Sequence, residues 1–178
     1  MSTYPSRFTD KVALITGAAS GIGRATAIRL AQEGACIMLA DIDQAGLDAT
    51  MATIADNGGQ ADSLHFDATQ NDSCIAAVAA TVKRWGKLDI VGNIAGIVSF
   101  WHLHEITTDM WNRCMQINLT APMIISREAM PHLIKTEGTI INMASSAGLG
   151  GQAYNATYAA TKHGLVGLTK SLAVEFAK

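Results

Sequence analysis

The sequence predicts a doubly wound α/β domain, an open parallel sheet held between two layers of helices, on three observations. Short apolar runs alternate with segments whose apolar residues recur at helical spacing, from Val12 to the end of the chain. The strand candidates are apolar at consecutive positions, as in Cys36-Ile37-Met38-Leu39-Ala40, which marks strands covered on both faces. The first strand and helix meet at a glycine cluster, Gly17, Gly21 and Gly23.

Taken in order, residues 1–10 read as a loose leader, followed by a strand over Val12–Ile15 and a helix from Gly21 to about Glu33 that stops at Gly34. A second strand runs to Asp41, and a helix over about Gln44–Asp56 closes at Asn57-Gly58-Gly59. A third strand spans about Ala61–Phe66 and ends at Asp67, and a third helix spans about Asp72–Trp85 with Asn71 or Asp72 as cap. Strand four, Leu88–Gly92, leads into the small-residue turn Asn93-Ile94-Ala95-Gly96 and a loop from Ile97 to Glu105. A long helix over about Thr108–Lys135 is expected to be interrupted near Pro122, which removes a donor. Strand five, Thr139–Met143, is followed by Ser145-Ser146-Ala147-Gly148, a glycine-bearing loop, and a last helix carrying Tyr158 and Lys162.

With 178 residues, 49% hydrophobic and 16% charged, the chain suits one buried domain, 1–178, without a linker. A net charge of −2 and the lack of a basic cluster argue against nucleic acid and anionic membrane partners, and no apolar run approaches the ~18 residues needed to span a bilayer. The N-terminus has no signal-peptide core, so a cytoplasmic protein is expected. Cys36, Cys74 and Cys114 are odd in number and widely separated, which predicts reduced, buried thiols. His102-Leu103-His104-Glu105 finds no further ligands at metal spacing, so a surface loop is expected there and no metal.

Glycines at the first strand–helix junction let the backbone come close to a ligand, while the free N–H groups of the helix and its dipole face an anion such as a pyrophosphate. The spacing Gly-x3-Gly-x-Gly differs from the common dinucleotide fingerprint, and a turn that merely packs tightly remains an alternative. Asp41 stands 18 residues after Gly23, where a carboxylate accepts from a ribose diol and repels a 2′-phosphate. Neither Ser20 nor Ile42 supplies an arginine for that phosphate, which favours NAD over NADP. Right-handed crossovers bring Gly17 to Gly23, Asp41, Asp67, Asn93 and Ser145 to the carboxyl edge of the sheet.

Tyr158 and Lys162, four apart on a helix, share a face. One ammonium at ~4 Å and an effective dielectric near 20 favours a phenolate by about 4 kcal/mol before desolvation, up to three pKa units, which moves a tyrosine towards the range of a working acid or base. Thr16-Gly17-Ala18-Ala19-Ser20-Gly21-Ile22-Gly23, Asp67, Asn93-Ile94-Ala95-Gly96, Asn118, Ser145 and Tyr158 to Lys162, with Tyr158 placed 13 positions after Ser145, together resemble the short-chain dehydrogenase/reductases.

That resemblance covers the whole chain and implies a Rossmann-type, three-layer αβα domain of at least five strands. It implies an NAD-dependent oxidoreductase that moves a hydride between NAD(H) and a secondary alcohol or ketone. Tyr158 would be the acid/base, Ser145 the group that holds the reacting oxygen, and Lys162 the cation that binds the nicotinamide ribose and lowers the tyrosine pKa. Asn118 would fix a water leading to solvent. Gly17, Ser20, Gly21, Ile22, Gly23, Asp41 and Ile42 would bind the cofactor, with Asp67 and Ala68 at the adenine and Asn93 and Ala95 beneath the ribose. Ser146 and Tyr154 fall outside the family spacing, so Tyr154 is expected to be pocket wall or filler. Ile94 stands where the family usually has a second asparagine. Family members continue past this point with further strands and a substrate-covering segment, which the 1–178 domain is therefore expected to lack. An NADPH-linked 3-oxoacyl reductase and a non-catalytic NAD-binding or scaffold fragment are the competing readings. The apolar excess of the last helix, Leu165 to Phe176, predicts a homodimer or homotetramer.

Overall fold

The structure, a computed structural model, describes residues 6–177. One parallel sheet of five strands has the order β3-β2-β1-β4-β5, built from β1 (Val12–Thr16), β2 (Cys36–Asp41), β3 (Gln60–His65), β4 (Ile90–Asn93) and β5 (Thr139–Asn142). Both faces of the central strands are covered. Ala13, Ile15, Ile37 and Leu39 point to one side, against α1 (Gly21–Gln32) and α2 (Gln44–Asp56), while Leu14, Met38 and Ala40 point to the other, against α3 (Asn71–Trp85) and α5 (Ala121–Thr136). Each fully buried Leu or Ile contributes ~1.5–3 kcal/mol, which is why the alternation between two buried faces fixes the register of β1 and β2. The expectation that every strand is apolar on both faces fails at the edges, where β3 carries Gln60, Asp62, Ser63 and His65 and both β3 and β5 are only partly covered. A groove of about 930 Å³ follows the free edge of β5 between α5 and the last helix, α6 (Ala156–Phe176).

The expected long helix is three pieces: α4 (Thr108–Met115), a π-helical turn over Gln116–Thr120, and α5. The break lies upstream of Pro122 rather than at it, because a proline has no N–H for the carbonyl four residues earlier, that of Asn118, and the chain widens its turn there. Pro131 lies inside α5 as well. The leader is not loose over residues 6–10: Phe8 N donates to Glu33 O at 3.0 Å, and Arg7 binds the Glu33 carboxylate, which is wholly buried. Its residues 1–5 lie outside the described residues. Of the three thiols Cys74 and Cys114 are buried, and burial pushes Cys74 up to about 11, whereas Cys36 on β2 is only half-buried.

Hydrogen bonds from Arg7 and then Arg29 hold the Glu33 carboxyl down at about 2, against an ordinary 4.5. A carboxyl depressed in this way stabilises the fold fully above its unfolded value and loses that contribution as pH falls through the window from 4.5 towards 2. Glu33→Gln is therefore expected to unfold more easily at neutral pH and to show a flatter acid dependence, read by circular dichroism in denaturant at a series of pH values. Equal acid dependence in both proteins would contradict this.

Candidate active site

The order of the sheet reverses between β1 and β4, and the crevice opens at their carboxyl ends. Thr16 joins the two strands there: its hydroxyl accepts from Ile94 N at 3.0 Å and Ala95 N at 3.1 Å. Past Thr16 the chain turns through Gly17 (φ 71°) and Gly21 (φ 51°), both in the left-handed region. Gly23 lies so close under the turn that a Cβ would come within 2.0 Å of the Gly17 carbonyl oxygen. Ser20 makes no side-chain cap and no acidic residue occupies the first turn of α1, so its N-terminal N–H groups remain available to an anion.

Asp41 at the end of β2 spans the same turn. One carboxylate oxygen accepts from Ala19 N at 3.0 Å and the other from Asp43 N at 3.1 Å, and each oxygen keeps a lone pair for a ribose hydroxyl. Ile22 and Ile42 are exposed at the crevice. Asp67 turns one oxygen onto the hydroxyl of Thr69 at 2.7 Å and its N–H at 2.9 Å, and these bonds hold it below the usual carboxylate range. A groove of about 560 Å³ is lined by Gly17, Ser20, Gly21, Ile22, Gly23, Asp41, Ile42, Asp67, Ala68 and Ala95, and also by Arg113 and Met143, which sequence reasoning did not single out. A tight glycine turn, an uncapped helix N-terminus and two acidic groups along one groove fit an extended dinucleotide.

Asn93 does not take its expected place. Its side chain is buried on the far side of β4, where Nδ2 donates to Asn142 Oδ1 at 2.9 Å and lies 3.4 Å from Ser126 Oγ, so it holds β4 to β5 and α5 instead of lining the groove. Ile94, the departure from the family turn, packs on the α1–α2 core cluster, where an apolar side chain fits.

The last strand leads to the chemistry. Ser145 is half-buried and its Oγ accepts from Ala147 N at 3.2 Å, which orients the hydroxyl and leaves its own proton to donate. The Ser146–Gly148 turn rests on α6, since a Cβ on Gly148 would meet the Lys162 carbonyl oxygen at 2.7 Å. On α6 the Lys162 Nζ lies 5.5 Å from the centre of the Tyr158 ring, and donates to the Met143 carbonyl at 2.6 Å. Lys162 is buried, and that desolvation lowers its pKa. Asn118, in the π turn, is wholly buried with its carboxamide clamped on the backbone of Ile97: Oδ1 accepts from the N–H at 2.9 Å and Nδ2 donates to the carbonyl at 2.8 Å. The same Nδ2 lies 3.3 Å from both Cys114 Sγ and Thr161 Oγ1, so that the side chain is spent on structure. Among the described residues, no group of three His, Cys, Asp or Glu is gathered as a metal site, and no helix is long and apolar enough to cross a membrane.

Fold and groove together define the nucleotide-binding domain of an oxidoreductase. The sequence model described as short chain dehydrogenase matches residues 11–178, and the chain belongs to that family. It is 40% identical to a (−)-trans-carveol dehydrogenase of Rhodococcus erythropolis, over 97% of this chain and 68% of that protein. Among solved structures it is similar to a metagenomic short-chain oxidoreductase in complex with NADP (TM-score 0.92, 35% identity, 96% of this chain and 78% of that one). It is also similar to a carveol dehydrogenase from Mycobacterium avium in complex with NAD (TM-score 0.90, 32% identity, 96% and 67%). The chain spans 62% to 70% of the length of the curated relatives it matches.

Proposed function

We propose that this protein transfers a hydride between NAD(H) and a secondary alcohol or ketone, with Tyr158, Ser145, Lys162 and Asn118 as its working residues. The observation that carries this reading is the place of Met143: it lines the dinucleotide groove, and its carbonyl holds the Lys162 ammonium, so the Tyr158–Lys162 pair stands at the groove's end. When bound, NAD supplies a hydride acceptor at its nicotinamide ring. In oxidation Tyr158 takes the proton of the alcohol, the Ser145 hydroxyl donates to the same oxygen, and the Lys162 ammonium, 5.5 Å from the tyrosine ring centre, binds the nicotinamide ribose. Asn118 is the residue proposed to fix a water leading to solvent; its carboxamide is engaged by Ile97, and Pro122 leaves its backbone carbonyl without an i+4 donor.

Two features favour NAD over NADP. Asp41 presents a carboxylate where a 2′-phosphate would sit, and the neighbouring guanidinium of Arg24 is already engaged with the Ala19 carbonyl and with Thr50 Oγ1. Asp41→Ala is expected to weaken NAD by about tenfold or more, the size of a lost hydrogen bond to a charged group, and to relax discrimination against NADP. Titrating both cofactors checks it, and an unchanged affinity ratio would count against the assignment. We place the protein in the cytoplasm, where the buried Cys74 and Cys114 thiols stay reduced, and assign it a homodimeric or homotetrameric state through α6, whose Val174 and Phe176 are exposed.

A further inference from the structure

The chain between Ile97 and Glu105 meets the chain between Ser145 and Tyr158 in a second surface. Trp101 N donates to the Tyr154 carbonyl at 2.7 Å, and the His102 ring stands edge-on to the Tyr154 ring at 4.7 Å. The Glu105 carboxylate accepts from His102 N at 3.0 Å and closes the short turn Leu103–Glu105. On the other side Asn155 Nδ2 donates to Gln152 Oε1 at 2.9 Å, at the start of the helix that bears Tyr158. Tyr154 itself sits at φ 62°, a left-handed conformation that a bulky residue adopts only where its surroundings impose it. These are built loops, and they hold large apolar groups open: Trp101 is 48% exposed, Tyr154 58% and Leu149 78%. The surface starts at Ile97, which lines the dinucleotide groove, and ends at the N-terminus of the Tyr158 helix.

Its second property is the absence of Lys and Arg, with the Glu105 carboxylate turned back onto His102 N at its edge. Residues 96–104 contain no Lys, Arg, Asp or Glu, and neither do residues 143–157. The exposed guanidinium along the groove, Arg113, lies near Asp67 at the opposite, adenosine end. A carboxylate, a phosphate or the phosphorylated arm of an acyl carrier would find no cation on these loops to replace its hydration.

We infer that Trp101 and Tyr154 form the substrate wall of this site, and that it selects uncharged secondary alcohols with an apolar ring over short or anionic ones. The inference rests on the hydride-transfer reading above. A ring laid on an aromatic wall buries flat apolar area at little entropic cost, and one or two methylenes of extra burial separate substrates by about 10- to 200-fold.

Two measurements on the full chain separate this inference from the reading beneath it. In the first, cyclohexanol, 2-propanol and 3-hydroxybutyrate are compared as substrates with NAD, at alkaline pH where an ordinary imidazole carries no charge. Cyclohexanol is expected to exceed 2-propanol at least about tenfold in kcat/KM, and 3-hydroxybutyrate to fall lower still, while in Trp101→Ala and Tyr154→Ala the cyclohexanol/2-propanol ratio collapses by about tenfold. In the second, saturation-transfer NMR with the NAD-loaded protein reads binding of the same three compounds without turnover. Signal on cyclohexanol that is lost in the Trp101→Ala, Tyr154→Ala double variant supports the wall. Equal signal on all three compounds, or signal that survives the double variant, overturns it. If no alcohol is oxidised the hydride-transfer reading fails, and the NMR result alone then decides whether the wall binds apolar rings.

Discussion

Replacing Tyr158 by phenylalanine is expected to leave NAD binding intact and to lower turnover by at least ~10²-fold, the usual contribution of a general acid or base. The substitution keeps the ring, and hence the face that lies 5.5 Å from the Lys162 ammonium, and removes only the hydroxyl that carries the proton. Lys162 stays on the Met143 carbonyl in the variant, because that bond does not involve the phenol. Cofactor affinity and steady-state rate, measured on the same preparation, check the two halves separately. Full activity in Tyr158→Phe would remove the tyrosine from the mechanism, and a loss of NAD affinity equal to the loss of rate would make it a binding residue.

The second large effect is expected from Gly23→Ala. The new methyl would stand 2.0 Å from the Gly17 carbonyl oxygen and 3.1 Å from Ala18 N, and these are backbone atoms that cannot swing aside as a side chain would. Either α1 shifts away from the turn or the turn opens, and both displace the N–H groups that would receive a pyrophosphate. Forcing such an overlap costs about 1–3 kcal/mol or more, so the melting temperature falls and NAD binds at least about tenfold more weakly. Calorimetric titration of NAD, beside a thermal melt, reads both. Ala25, two residues further along α1 and exposed, offers a control: Ala25→Gly is expected to cost about 1 kcal/mol of helix propensity and to leave the NAD affinity in place.

These expectations trace back to the parts of the sequence where local pattern determines structure. The strand, turn and helix from Val12 to Gln32, and the helix that carries Tyr158 and Lys162, depend on residues close together in the chain, and these elements form where the sequence predicts. Asn93 was harder to read because neighbouring strand residues point to opposite faces, and the sequence does not say which face meets the cofactor; the buried Ser126 and half-buried Asn142 decide it. The interruption near Pro122 is legible in the sequence, but its π form and its place just upstream are not, because a proline acts on the carbonyl four residues before it. Thr16 could have been found: a hydroxyl ending a buried strand beside a glycine turn has to bond something nearby, and here it bonds the N–H groups of the β4 turn. No local signal announces the pairing of Trp101 with Tyr154 or of Arg7 with Glu33, since these contacts join distant stretches of the chain.

Direct transfer of hydride between a secondary alcohol and NAD in this groove is the proposal on which the other expectations rest. It is tested most directly with cyclohexanol carrying deuterium at the carbinol carbon, incubated with NAD and the protein, followed by mass analysis of the cofactor. The deuterium is expected to appear in the reduced nicotinamide, with a slower rate for the labelled alcohol when the chemical step limits turnover, and the Tyr158→Phe protein is expected to form at least ~10²-fold less of it. Reduced nicotinamide that forms without the label, or cofactor that binds and stays oxidised with every secondary alcohol supplied, would contradict it.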